Sequence, residues 1–318
     1  IPDTTEVMLG HGIAQLEQFL ERRSGVYDVL WVSRPPNLQA LAPLRRRRPE
    51  LFAGMRVIYD SEALFALREI GEQAVKGHPM TRAQANARLD QELRLVTGNE
   101  RIVVVSERDA RPFRDRGHPV TILSHAITTR RMAPGPEKRA GLLFVGALHP
   151  GTPNEDGLLW FAAEVLPLLH SRLKEMPSIT VIGECSSAAI SQLDSPDFRI
   201  LGPQENLAPW YDQARVFIAP VRFAGGVPVK VIEAAANGIP VVASAILVRQ
   251  LGWLDGKEIQ SGRDAARFAS AIIRLLENDE AWSRQQDAAR NRCIEEHHPE
   301  SFARTVRSIV SLPEWEKV

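Results

Sequence analysis

The chain has 318 residues, too many for one compact core and suited to two domains of roughly 150 residues each. Lys plus Arg and Asp plus Glu both number 39, so no net field draws it to nucleic acid or to a membrane. Cys185 and Cys293 lie far apart without ligand spacing, which argues against a disulfide framework and a zinc site. No apolar run approaches the roughly 18–20 residues that span a bilayer, and no secretory signal opens the chain, so a cytoplasmic protein is expected.

The opening IPDTTEVMLG lacks Met and runs into a strand-like segment, which suggests a piece of something longer. Short β-branched runs then alternate with amphipathic stretches, the signature of βαβ units. In the first half, strands are expected at 26–33, 55–60, 101–106 and 120–124, and helices near 13–23, 62–76, 82–97 and 107–116. The Pro pair in SRPPN starts a further helix, and Arg45-Arg46-Arg47-Arg48 reads as its solvated end. The loop 131–141 is rich in Pro, Gly and charge and reads as a linker.

A second series follows, with strands at 142–146, 178–183, 198–202, 215–220 and 239–244. Helices fit at 155–173, 204–213, 228–238 and 262–277, and 279–312 reads helical. The expected fold is α/β, two Rossmann-like doubly wound domains facing a cleft. The first spans 1–134 and is incomplete, with room for about four strands; the second spans 140–298; the segment 299–318 is a helix crossing back to the first.

Ligands of open parallel sheets bind beyond the carboxyl ends of the strands, which directs attention to APVRFAGGVPVKVIEAAANGIPVVAS. The loop Gly225-Gly226-Val227 lets backbone approach a ligand closely. Arg222 and Lys230 could clamp a diphosphate, one through its fork and one as a point charge. Glu233 lies one turn beyond Lys230 and could accept from the paired hydroxyls of a ribose. A second reading stands beside this one: Lys230 and Glu233 as a buried ion pair that satisfies itself. Against that, a buried pair stabilises little, and the adjacent glycines have no evident packing purpose.

In the first domain, Asp60 and Glu62 follow a strand. Asp60 either orients or deprotonates a ligand hydroxyl, or caps a helix together with Ser61, where Glu62 would suit the dipole. Arg34 after the first strand either holds an anionic group of a ligand or makes a structural salt bridge. His125 is a further polar candidate at the cleft.

The stretch 219–244, with LLFVGALHPGTPNEDGLLWFAAEVLP, TVIGE, ILGPQENLAPWYDQARVFIAP and QLGWLDG around it, resembles the donor half of the GT-B retaining glycosyltransferases of family 4 (group 1), in their bacterial polysaccharide and O-antigen branch. The resemblance covers about 140–270, and VIYDSEALFALRE and VVVSERD have the look of the same branch. It implies a nucleotide-sugar donor, a glycan or lipid-linked acceptor, no metal and no other cofactor, and peripheral membrane association as one setting. It further implies that Glu233 binds the ribose, that Lys230 and Arg222 face the diphosphate, that Gly146 lies close to the phosphates, and that Leu207 meets the base. Retention is expected to need no protein nucleophile: the departing diphosphate helps take the acceptor's proton.

Two departures stand out. The family's Glu-x7-Glu pattern would place its first glutamate at Gly225, and the basic residues expected after the first donor-domain strand are replaced by His149 and Asn154. A nucleotide-sugar-binding module with impaired catalysis is therefore the competing reading. A dinucleotide dehydrogenase is disfavoured, since no strand runs into G-x-G-x-x-G, and the constellations of 2-epimerases and phosphorylases are not found.

Overall fold

The computed structural model of the chain describes residues 5–8, 12–98 and 100–311. Two all-parallel sheets organise it. The first holds β1 (Val29–Ser33), β2 (Arg56–Asp60), β3 (Glu100–Val104) and β4 (Val120–Ile122), paired in that order. Its helices are α1 (Leu16–Arg22), α2 (Pro35–Arg47), α3 (Phe65–Val75), α4 (Arg82–Leu93) and α5 (Glu107–Arg114).

The second sheet holds β5 (Leu142–Val145), β6 (Ile179–Ile182), β7 (Phe198–Leu201), β8 (Val216–Ala219), β9 (Val241–Ser244) and β10 (Gln260–Gly262). They lie in the order β7-β6-β5-β8-β9-β10. Counted within that sheet the order is 3-2-1-4-5-6, so the chain reverses direction across the sheet between β5 and β8, where a crevice opens. Around it lie α6 (Pro153–Trp160), α7 (Leu166–Arg172), α8 (Ala188–Ser191), α9 (Ala208–Gln213), α10 (Val229–Ala236), α11 (Ala245–Leu251), α12 (Ala265–Glu277), α13 (Asp279–His297) and α14 (Pro299–Ser311). None of these helices is long and apolar enough to cross a membrane.

The strands read as apolar runs because both faces of each sheet are covered. In β8, Phe217 and Ala219 enter one core while Val216 and Ile218 enter the core on the opposite face, as the two-residue period of a strand requires. The first sheet is covered on one side by its own helices, through Val57, Tyr59, Ile102 and Val104. The other side, with Ile58 and Val103, is covered by α14 through Phe302, Val306, Ile309 and Val310. That spacing forms one stripe of a helix.

The expected helical tail over 279–312 forms as α13 and α14, broken where the crossing helix is expected to begin, because Pro299 disfavours helical backbone at the residue before it; His298 is extended, with φ −64° and ψ 129°. Residues 312–318 of the expected crossing helix lie outside the described residues. The strand-like opening is not borne out where it is described, since 5–8 carry no regular structure. The chain passes between sheets twice, side by side: Ser124 Oγ donates to the carbonyl of Glu296 (2.8 Å) and Ile127 N to that of His297 (2.8 Å).

The arginine run is more than a solvated helix end. Arg45 pairs with Glu100, whose side chain is fully buried, and Thr97 N donates to the same carboxylate at 2.9 Å. Arg47 and Arg48 pair with Glu17, while Arg46 is exposed. Burial alone would raise the Glu100 pKa, but donation from Arg45 and Thr97 outweighs it and holds the carboxyl below its usual range. Its stabilisation is therefore present above the ordinary glutamate pKa and fades as pH falls through that range. Arg45→Ala strands a buried carboxylate and should cost roughly 3 kcal/mol in urea unfolding at neutral pH, with less loss near pH 4. Arg46→Ala should stay within about 0.5 kcal/mol; equal effects of the two would show that the run is only a solvated face.

Candidate active site

The crevice between β5 and β8 is organised by one side chain, Asn154, at the second position of α6. Thr152 caps that helix through the backbone N–H of Glu155. Asn154 Nδ2 donates to the carbonyl of Ala147 (2.9 Å) and its Oδ1 accepts from Lys230 Nζ (2.5 Å). The amide thus ties the loop after β5 to the first turn of α10. Gly146 makes room for it: a Cβ there would lie 2.7 Å from Asn154 Nδ2.

Lys230 is half-buried, with its ammonium 4.5 Å from the centre of the Phe144 ring. Burial draws its pKa down to about 7. Glu233, one turn on, is also half-buried, and burial raises its carboxyl pKa. The two charges do not pair with each other: the ammonium goes to Asn154, and among the described residues no donor engages the Glu233 carboxylate. The self-satisfied ion pair is thereby corrected. Two ionisable groups three residues apart on one helix are thus half-buried without pairing, and such groups favour function over stability.

Arg222 departs from the expected clamp. Its Nε and Nη2 grip both oxygens of Asp156, at 2.8 and 2.5 Å, and it lines a separate cavity with Arg249, Arg263 and Ser244. Lys230 instead lines a cavity of about 330 Å³ with Arg68, His149, Asn154, Gly225 and Gln250. The sequence places Arg222 just before the loop and Lys230 in the helical turn after it, but a bidentate partner on α6 turns the guanidinium away.

The glycines have a packing purpose after all. Gly226 has φ +70°, and a Cβ there would lie 2.8 Å from the Glu62 carbonyl oxygen and 2.9 Å from Ala63 Cβ. At Gly225 a Cβ would meet the Leu64 carbonyl oxygen at 3.1 Å and Arg68 Cβ at 3.4 Å. The second-domain loop thus lies directly against the segment that follows β2 in the first domain. Val227 and Leu207 pack on one core cluster, and Leu207 immediately precedes α9. Nearby, the buried hydroxyl of Tyr211 has no partner.

Across the cleft, β1 and β2 deliver Trp31, Arg34, Asp60 and Glu62. Asp60 Oδ2 accepts from Trp31 Nε1 (3.2 Å) and Oδ1 from the Glu62 backbone (3.1 Å). Burial raises the Asp60 pKa against those two donors. Burial also lowers the pKa of His125, which the charges of Asp60 and Glu62 counter. Arg34 Nε donates to Glu62 Oε2 at 2.7 Å. These two are the only non-glycine residues with positive φ among those described, and such backbone strain concentrates at functional sites.

The capping reading of Asp60 and Ser61 is not what forms. α3 begins only at Phe65, and its first N–H groups are taken by Glu92 of α4, from Phe65 N at 2.8 Å and Ala66 N at 2.6 Å. Arg68 and Glu92 are the residues that sequence reasoning missed. Neither stands at a strand end: packing alone brings Arg68 to the cavity of Lys230 and Glu92 to the start of α3. Among the described residues, no group of three or more His, Cys, Asp or Glu could hold a metal ion.

Comparison with known proteins gives this geometry a class. Residues 139–278 match the family model of the group 1 glycosyl transferases. The whole described fold resembles that of solved glycosyltransferases of GT-B architecture. Sucrose-phosphate synthase from Thermosynechococcus elongatus aligns at TM-score 0.69 and 15% identity over 97% of this chain and 80% of its own. Anabaena HepE in complex with UDP-glucose aligns at 0.68 and 12% over 96% and 86%. An uncharacterized 44.6 kDa protein in the cps region of Klebsiella pneumoniae is 30% identical over 149 residues, 43% of this chain and 37% of that protein. The chain thus matches little more than a third of that relative's length. The α/β fold is GT-B, and the segment that carries most of the second sheet and its crevice is similar to the group 1 glycosyl transferases.

Gly226→Ala should expose the domain contact. A left-handed non-glycine residue costs on the order of 1–2 kcal/mol, and its methyl group would push on the backbone of Glu62. Urea unfolding should lose at least that amount, and small-angle scattering should show a wider separation of the two sheets. Unchanged stability and shape would mean that the loop does not bear on 62–64 in solution.

Proposed function

We propose that the chain transfers a sugar, with retention, from a nucleotide-sugar donor to a glycan or lipid-linked acceptor in cytoplasmic polysaccharide synthesis, without a metal. The observation that carries this reading is the pair of unpaired charges on one helix of the crevice, Lys230 as ammonium for phosphate and Glu233 as acceptor for ribose hydroxyls. The match of residues 139–278 to group 1 glycosyl transferases supports it, as does the cps-region relative. The HepE structure with UDP-glucose makes UDP a natural first probe.

In this mechanism the base sits by Leu207, the ribose on Glu233 and the diphosphate under Lys230, close to Gly146. The bond from the anomeric carbon to the β-phosphate oxygen breaks. The acceptor oxygen bonds to the same face, and its proton passes to the departing phosphate. The protein stabilises the developing phosphate charge and aligns the acceptor. Asp60, with Arg34, Glu62 and His125 around it, orients the acceptor hydroxyl. A binding module of reduced activity is the second reading, favoured by Gly225 at the place of a glutamate and by the engagement of Arg222 with Asp156. Turnover of a panel of nucleotide sugars in the presence of EDTA decides between them; nucleotide binding with no hydrolysis or transfer would leave only the module.

Calorimetry separates the two site assignments. Glu233→Ala should weaken nucleoside and nucleoside diphosphate alike, by roughly tenfold or more, whereas Lys230→Ala should weaken only the diphosphate. Indifference of UDP, GDP and dTDP to both changes would refute the assignment.

The depressed pKa of Lys230, about 7, adds a pH signature. A diphosphate favours the charged ammonium and raises its pKa, so binding above pH 7 should take up a proton. Affinity should fall between pH 7 and 9 by up to about tenfold per unit, and Lys230→Arg should flatten the profile. A flat wild-type profile would show that the ammonium does not meet the phosphate.

A further inference from the structure

The Lys230 cavity has a second cation that comes from the other domain. Arg68 lies in the second turn of α3 and lines the cavity together with Lys230 and Asn154, and none of the lining residues is Asp or Glu. Its neighbours Glu69 and Arg88 pair with each other at 2.6 Å. Among the described residues, no hydrogen bond or ion pair involves the Arg68 guanidinium itself. Gly225 stands beside it, and the absence of a side chain there leaves the path from Arg68 into the cavity open; a Cβ would lie 3.4 Å from that of Arg68.

The charge balance of the crevice is therefore incomplete. Arg222, the cation nearest in sequence, is neutralised by both oxygens of Asp156. Lys230 has only the neutral Asn154. A half-exposed guanidinium and a half-buried ammonium around a cavity without carboxylates ask for a ligand of about two negative charges, the charge of an esterified diphosphate. Arginine suits this role because its fork can donate to two phosphate oxygens at once.

We propose that Arg68 is a diphosphate-binding residue supplied across the cleft by the first domain, completing with Lys230 the cationic site for the donor's leaving group. The proposal rests on the nucleotide-sugar reading above. It assigns the first domain a part in holding the donor, so donor binding and the seating of α3 against the 221–227 loop become one event. The Gly225-Gly226 contact with residues 62–64 sets how closely α3 approaches, and Gly71 on the same helix supports it, with Phe223 Cβ 3.2 Å from the place of its missing Cβ.

The test uses the full chain and calorimetry with UDP, GDP and dTDP beside the matching nucleosides. For whichever diphosphate binds, Arg68→Gln should weaken affinity by roughly tenfold or more and leave the nucleoside unchanged, which also reports an intact fold. Arg68→Lys should recover part of the loss. Hydrogen exchange supplies a readout that a merely structural residue would not move: the diphosphate should slow exchange over 62–76 in the wild type and not in Arg68→Gln. Diphosphate affinity in Arg68→Gln equal to wild type would overturn this inference alone. A wild-type chain that binds none of the three would overturn the donor-site reading and this inference together.

Discussion

The close approach of Gly225 and Gly226 to the backbone of Glu62, Ala63 and Leu64 is the constraint on which the cleft depends. Two separately built sheets each present the carboxyl ends of their strands, but ligand groups on them can cooperate only at a defined separation. That separation is set where two stretches of backbone meet with no side chain between them. A left-handed φ at Gly226 allows the turn, and the absence of Cβ atoms at both positions allows the contact. Because the contact joins the loop before α10 to the start of α3, it brings Lys230 and Arg68 to one cavity.

Within the second domain a chain of small interactions sets the electrostatics. Gly146 leaves room for Asn154, Asn154 holds Lys230, and the aromatic face of Phe144 lies beneath the ammonium. A neutral amide partner does little to offset the desolvation of a cation, so the pKa of the lysine falls toward neutrality. A carboxylate in place of Asn154 would hold the lysine charged and also repel a diphosphate. Asp156, two residues on, does this to Arg222. Two positions of one helix thus divide the local cations into one that is quenched and one left for a ligand.

Much of the fold was legible along the chain, and particular elements show why. Runs such as RVFIAP and LLFVG are buried on both faces, so apolar content alone reveals them. β10, Gln260–Gly262, escaped notice because three residues ending in glycine carry no periodic signal. α11 follows Ser244 without a break, and its AILV start reads as more strand. At the site, Lys230 and Glu233 are legible because charges are conspicuous in an apolar helix. Arg68 is not, since an arginine on an amphipathic helix looks like any solvated one until a second domain is placed over it. Glu92 is hidden because it caps α3 from a different helix of the same domain.

By itself the sequence determined the alternating α/β plan, the two-domain division of a chain this long, and the loop-and-helix segment that carries the charged pair. These are local or compositional properties, set by periodicity and by which backbone torsions a residue allows. Only the tertiary structure decided that Lys230 and Glu233 do not pair, that Arg222 turns to Asp156, and that α14 returns to cover Ile58 and Val103 on the first sheet. The physical reason is common to all three. A long charged or apolar side chain can satisfy itself with any of several partners, and which one it meets depends on elements distant in sequence that only the packed chain brings within reach.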